Sequence, residues 1–163
     1  RGIMSNSASE GVTPTTGALG DVAELVLGID HVGIAVPDLD KALTWYRDNL
    51  GFVNLHEEVN EEQGVREAMV GPAGGDGAVI QLLAPLNDQS TIAKFLDRSG
   101  PGLQQLAVTV RDVEAVAAVL TANGVRLLYP EPRSGTANSR INFVHPKDSG
   151  GVLLELVEPA PAH

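Results

Sequence analysis

Apolar and polar positions alternate with two distinct periods along the chain, and the same succession occurs twice. From His31 a strand-like run, HVGIAVP, leads to Asp38. Behind it Leu39, Ala42, Leu43, Tyr46 and Leu50 recur at helical spacing, and Gly51 supplies a stop. From Gln105 the run QLAVTVR leads to Asp112, and Val113, Val116, Ala117 and Leu120 repeat the helical spacing before Gly124. Each aspartate predicts a helix N-cap, because its carboxylate can accept from the free amides of the first turn. The two runs superpose at an offset of 74 residues, and the superposition persists to the end of each half. REAMV at Arg66 falls over RINFV at Arg140, and VIQLLAP from Val79 falls over LLELVEP from Leu153. The Gly- and Pro-rich stretches GPAGGDG and HPKDSGG join these pairs as turns. With Phe52 to Glu58 and Val125 to Tyr129 counted as strands, each half is β-α-β-β-β. The segment from Asn87 to Ser99 predicts a short helix linking the halves. The expected class is α+β, with two tandem βαβββ modules at about 28–86 and about 102–159.

The pattern begins near Leu25, so residues 25–160 form one expected domain and residues 1–24 a disordered tail. Ser5 to Gly20 is small and polar with a single charge, too little apolar surface to offset the entropy of ordering. The start has no basic, apolar signal-like run, and the expected location is cytoplasmic. The whole chain of 163 residues is 43% hydrophobic and 20% charged, which fits one globular domain. No apolar run is long enough to span a membrane. A formal net charge of −10 argues against nucleic acid, which needs clustered cations. The absence of cysteine excludes disulfides, thiolate metal sites and cysteine nucleophiles. Any metal must therefore be held by His, Gln, Asn, Asp or Glu, and there are only four histidines.

The repeat pairs His31 with Gln105, and Gln81 with Glu155, each a polar residue inside an apolar strand. An unpaired carboxylate among Leu153 and Val157 would be costly, so Glu155 needs a cation or several donors. A divalent metal would serve all four residues together, two from each half. Taken singly, each also fits an ordinary strand position, a structural histidine or a solvated amide or carboxylate. Gln105 is the weakest donor of the set, and Gln104 points to the opposite face. Glu67 stands where the second half has Ile141, so it reads either as a catalytic carboxylate or as a salt-bridge partner of Arg66 or Arg140. His145 precedes Pro146 in a turn and reads as structural, and Glu57, Glu58, Glu61 and Glu62 read as a solvated acidic run.

These residues lie in stretches that resemble a known family: DHVGIAVPDLDKALTWYRDNLGF, EEVNEEQGVREAMV, QLLAP, GPGLQQLAV and SRINFVHPKDSGGVLLELVEP. Together they cover nearly all of residues 29–159. The chain resembles the vicinal oxygen chelate (glyoxalase/bleomycin resistance) superfamily and, within it, the methylmalonyl-CoA epimerase family. The resemblance implies helices packed outside a curved, mostly antiparallel sheet. It also implies a divalent metal, Co2+, Mn2+ or Zn2+, on His31, Gln81, Gln105 and Glu155, with Gln105 standing where the family has a second histidine. The implied activity is C2 proton abstraction from methylmalonyl-CoA through an enolate, with Glu67 and Glu155 as the acid–base pair. An acyl-CoA partner requires local positive charge on an acidic protein, for which Arg133, Arg140 and Lys147 are the candidates, with Ser134 to Ser139 as a flexible, hydrogen-bonding loop. The three also fit ordinary solvated surface cations. A homodimer is the implied assembly. Two other readings stay open: a different lyase or isomerase of the superfamily, and a metal-free small-molecule-binding protein on the same fold.

Overall fold

The computed structural model describes residues 18–162, so most of the expected tail lies outside the described residues. Helix α1 (Ala18–Leu25) leads into strand β1 (Val26–Ala35). Helix α2 (Leu39–Leu50) follows, then the strands β2 (Phe52–Asn60), β3 (Val65–Pro72) and β4 (Val79–Pro85). Helix α3 (Thr91–Ser99) connects to the second module, which contains β5 (Gly102–Val110), α4 (Val113–Ala122), β6 (Arg133–Ser134), β7 (Arg140–Val144) and β8 (Leu154–Glu158). Helix α1 occupies the last part of the expected tail, and Leu25 at its end packs against the cluster formed by α4 and β8.

Local chemistry sets the helix ends as the sequence predicts. Asp38 accepts from the Lys41 amide at 3.0 Å, and Asp112 accepts from the amides of Glu114 and Ala115, both at 3.0 Å. Gly51 adopts φ +67°, a left-handed conformation in which a Cβ would be strained, and its amide closes onto Arg47. The linking helix starts at Thr91 rather than Asn87, because Ser90 supplies its N-cap.

All eight strands form one sheet in the order β2-β3-β4-β1-β5-β8-β7-β6. The two modules enter it as near mirror images in strand order and meet along the antiparallel β1–β5 pair. Only β1–β4 and β5–β8 are parallel; the other neighbours are antiparallel, as expected. Residues of β3 and β7, widely separated in that order, line one cavity, so the sheet curls around it. On the convex side, α2 covers Ala68, Val70, Leu82 and Ala84, while α4 covers Val110 and Leu156. Burying these side chains contributes roughly 25 cal/mol per Å2 of apolar surface removed from water. The concave side is left for the site.

One expected strand is absent. Val125–Tyr129 makes a single bridge, Leu127 to Val144, in place of a ladder. Pro130 and Pro132 lack amide donors and stop the pairing. The Asn142 side chain substitutes for a strand partner, accepting from the Tyr129 amide at 3.2 Å and donating to its carbonyl at 3.1 Å.

Candidate active site

The register of the central strands brings the repeat-related polar residues together. Gly33 on β1 lies beside Gln81 on β4 and beside Gln105 on β5, while Ala107 lies beside Glu155 on β8. His31 is two residues from Gly33 and shares its face. All four polar side chains are at least nine-tenths buried. The missing side chain at Gly33 is what lets them meet. A Cβ there would come within 2.4 Å of Gln105 Cγ, so Gln105 can lie across the seam only because position 33 is glycine.

Gln105 Nε2 stands at the centre of the cluster. It lies 2.8 Å from Glu155 Oε2, 3.1 Å from Gln81 Oε1 and 3.2 Å from His31 Nε2. His31 is oriented from behind, its Nδ1 donating to Asp30 at 2.6 Å, and Asp30 is in turn held by the Thr109 hydroxyl at 2.8 Å. This leaves Nε2 aimed at Gln105 and at Glu155, whose Oε1 is 3.8 Å away. Among the described residues no three of His, Asp and Glu gather as a metal site; this cluster has one imidazole, one carboxylate and two amides.

Glu67 completes the arrangement. Gln81 Nε2 donates to Glu67 Oε2 at 2.9 Å and approaches the Thr136 hydroxyl at 3.0 Å; that hydroxyl makes a short hydrogen bond to the other Glu67 oxygen. Neither salt bridge offered as an alternative for Glu67 forms. Arg66 pairs with Asp40 and Glu57, and Arg140 pairs with Glu114 and Glu158. Glu67 is thus a buried carboxylate with no cationic side chain bonded to it among the described residues.

Burial pushes Glu67 up to about 7, opposed by the Thr136 bond and reinforced by the neighbouring Glu58. Burial likewise pushes Glu155 up to about 7, against the pull of His31. Burial alone would lower His31, but the Asp30 hydrogen bond and the charges of Glu155, Asp30 and Glu67 outweigh it and hold the ring above its ordinary value. Asp30 is held low chiefly by its bond to His31. Two carboxyl groups with elevated pKa on the wall of one cavity are poised for proton transfer near neutrality.

A cavity of about 260 Å3 opens over these groups, walled by Val65, Leu83, Tyr129, Ile141, Phe143 and Leu153. Arg133 lies at its margin, the guanidinium 3.8 Å from the centre of the Tyr129 ring. The expectation for Arg140 is corrected. Alternation along β7 turns Ile141 and Phe143 to the cavity and Arg140 to the opposite face, where Glu114 of α4 and Glu158 of β8 neutralise it. Lys147 lies in the turn after β7, outside the cavity lining, where His145 Nδ1 accepts from its backbone amide at 3.2 Å. His145 is structural, as expected.

Sequence reasoning gave Asp30 no role and placed Thr136 only within the hydrogen-bonding loop from Ser134 to Ser139, with no partner. Asp30 has a local signal, an acidic residue directly before a strand histidine. Thr136 has none, since it reaches Glu67 from a loop some 69 residues away in sequence. That loop is tightly folded: Ala137 and Asn138 adopt φ of +54° and +60°, and the Ala137 amide donates to Glu58 at 3.1 Å. Left-handed conformations at non-glycine residues concentrate where a surrounding structure fixes them.

Two modules that share one sheet and close over a common polar cluster define a glyoxalase-type protein. The model of the Glyoxalase/Bleomycin resistance protein/Dioxygenase superfamily matches residues 30–143. Human mitochondrial methylmalonyl-CoA epimerase is 32% identical over 155 residues, covering 94% of this chain and 84% of that protein. The crystal structure of methylmalonyl-CoA epimerase from Mycobacterium tuberculosis has 61% identity and a TM-score of 0.81, covering 85% of this chain and 91% of that one. A methylmalonyl-CoA epimerase solved in complex with methylmalonyl-CoA and NH4+ has 48% identity and a TM-score of 0.78, covering 83% of this chain and 96% of that one. The chain belongs to the methylmalonyl-CoA epimerase family of this superfamily.

Proposed function

We propose that this protein is a methylmalonyl-CoA epimerase, interconverting the two C2 epimers of its substrate by proton transfer. The observation that carries this reading is Glu67, a buried carboxylate with no bonded cationic side chain among the described residues, fixed beside the four-residue polar cluster. The C2 proton lies between a thioester and a carboxylate, and its removal leaves an enolate. Glu67 in its ionised form takes the proton on one face, and Thr136 and Gln81 hold its two oxygens in place. Glu155 lies on the other side of the Gln81–Gln105 pair and is the group that returns a proton to the opposite face. The apolar wall of Ile141, Phe143 and Leu153 excludes water from the carbanion.

The donor set fits a divalent cation. His31 Nε2, Glu155 and the oxygen of Gln81 converge on one point, and Gln105 can add a second amide oxygen. A bound cation would supply charge stabilisation for the enolate oxygens. With one nitrogen and otherwise oxygen donors, Mn2+ suits the set better than Zn2+. Arg133, exposed beside the Tyr129 ring at the cavity margin, and Lys147, exposed in the turn after β7, are the cationic candidates for the coenzyme A portion. A homodimer belongs to the same reading, supported by exposed Leu27 and Ile29 on β1 and Leu103 on β5.

The test is proton exchange. Single-epimer methylmalonyl-CoA is incubated with the protein in deuterated water, with Mn2+ or Co2+ added and later chelated. Racemisation with deuterium gained at C2 is expected, and loss of it on chelation. Absence of exchange under every metal, with folded protein, overturns the reading.

A further inference from the structure

The orientation of the Gln105 amide is set by its neighbours. Gln81 turns its Nε2 toward Glu67, at 2.9 Å, which leaves its Oε1 facing Gln105. Glu155 Oε2 faces Gln105 from the other side. Both neighbours therefore present acceptors, and the amide nitrogen of Gln105, with two protons, meets both at 3.1 and 2.8 Å. The result is a continuous run, Glu67–Gln81–Gln105–Glu155, in which two amides join two buried carboxyl groups and give each a donor. Reversing Gln105 would set its oxygen against Gln81 Oε1 and the ionised Glu155 Oε2, two acceptors that would lose their donor, and would leave His31 Nε2 as the one neighbour able to donate to it, an arrangement that buried groups avoid. A positive ion at the focus removes that objection, because every group then presents a lone pair to it.

We propose that Gln105 is a cation-responsive amide: its nitrogen points inward and satisfies the cluster when no metal is bound, and it turns oxygen-inward when a divalent ion takes that place. This rests on the cluster being the cation site. An imidazole at position 105 would have no amide to reverse and would give up no amide bond to Glu155, so glutamine lowers cation affinity and keeps the empty site ordered.

Three measurements on the full chain test the idea. In metal-free protein labelled with 15N-glutamine, the Gln105 side-chain protons are expected to be protected from solvent exchange, and Mg2+ or Zn2+ is expected to shift that signal. By calorimetric titration, Gln105→His is expected to bind Mn2+ about tenfold or more tightly than wild type, since the hydrogen bond to a charged carboxylate no longer competes. Metal-free Gln105→Met is expected to melt below wild type and to gain more from added Mn2+. Rapid exchange of the wild-type Gln105 protons, or equal Mn2+ affinity in wild type and Gln105→His, overturns the role given to Gln105. Binding of Mn2+ by neither protein overturns the cation site itself, and the protected amide signal then tells the two failures apart.

Discussion

The two halves of the molecule share a frame and differ where the chemistry differs. His31 and Gln105 occupy equivalent places, as do Gln81 and Glu155, and these four polar residues point to one centre from both sides of the β1–β5 seam. Glu67 has no such counterpart. Its equivalent is Ile141, a wall residue of the cavity. The adjoining strands differ too: β2 has nine residues, eight of them paired with β3, whereas β6 has only two. The chain saved in the second half becomes the loop that carries Thr136 over to Glu67. A central site asks the same thing of both halves. A reaction with two distinct faces does not: at the place equivalent to Glu67 the second half supplies an apolar wall residue, Ile141, together with the Thr136 hydroxyl, and its own carboxylate, Glu155, sits in the central cluster instead.

The largest expected effect is at that asymmetric pair. Glu67→Gln keeps the size of the side chain and a donor-acceptor end but removes the base, so deuterium exchange at C2 should fall about 10^2- to 10^4-fold. Ile141→Val, at the equivalent place, should leave exchange within a few-fold of wild type. Near-equal losses from both substitutions would mean that the half-to-half difference has no catalytic meaning.

The next pair is Gly33 and Ala107, equivalent positions that both border the cluster. Gly33→Ala forces a Cβ against Gln105 Cγ, and about 1–3 kcal/mol of stability should be lost to overpacking, with the Gln105 amide displaced. Ala107→Gly removes a methyl and frees the backbone, costing roughly 1 kcal/mol without moving Gln105. Chemical denaturation of both variants ranks them. A harmless Gly33→Ala would show that the close approach does not hold the cluster.

What could be read from the sequence follows the same division. Helices α2 and α4 carry their own signals, an aspartate cap and a 3.6-residue period, and both appear where expected. The polar quartet was legible because duplication set each residue beside an equivalent one. Val125–Tyr129 failed as a strand because its fate depends on Asn142, whose side chain takes over the backbone of Tyr129. Arg140 was misplaced because strand alternation sets its face, and charge alone carries no such direction. Thr136 was out of reach, since a loop threonine gains its role from a fold-level contact.

A smaller effect is expected with pH. The Glu67 carboxyl titrates at about 7 in the folded protein against an ordinary 4.5, so the native state holds its proton more tightly than the unfolded chain. Its contribution to stability is therefore complete below the ordinary value and is lost as pH rises through about 7. Between about pH 5 and about pH 8, metal-free wild type should lose roughly 2–3 kcal/mol more than Glu67→Gln. Parallel stability curves for the two proteins would show that Glu67 does not hold a proton in the folded state.

The smallest effect concerns the caps, where the halves look most alike. Asp38 accepts from one amide, that of Lys41, while one oxygen of Asp112 accepts from both Glu114 and Ala115. The start of α4 has additional support, because the Val113 amide donates to Glu158 at 3.2 Å, a contact that ties the helix to β8. Each aspartate also sits at the positive end of its helix, a comparable gain for both. Replacing either by alanine should cost about 1 kcal/mol, and the difference between the two decides which description of the repeat is right. If caps act only locally, Asp112→Ala costs more, because two amides lose their acceptor instead of one. If Glu158 can take over the freed amides, α4 is buffered and Asp38→Ala becomes the costlier change. Adding Glu158→Gln to Asp112→Ala separates these outcomes: a loss larger than the sum of the single changes assigns the buffering to Glu158, and simple additivity leaves the caps as independent parts of a duplicated frame.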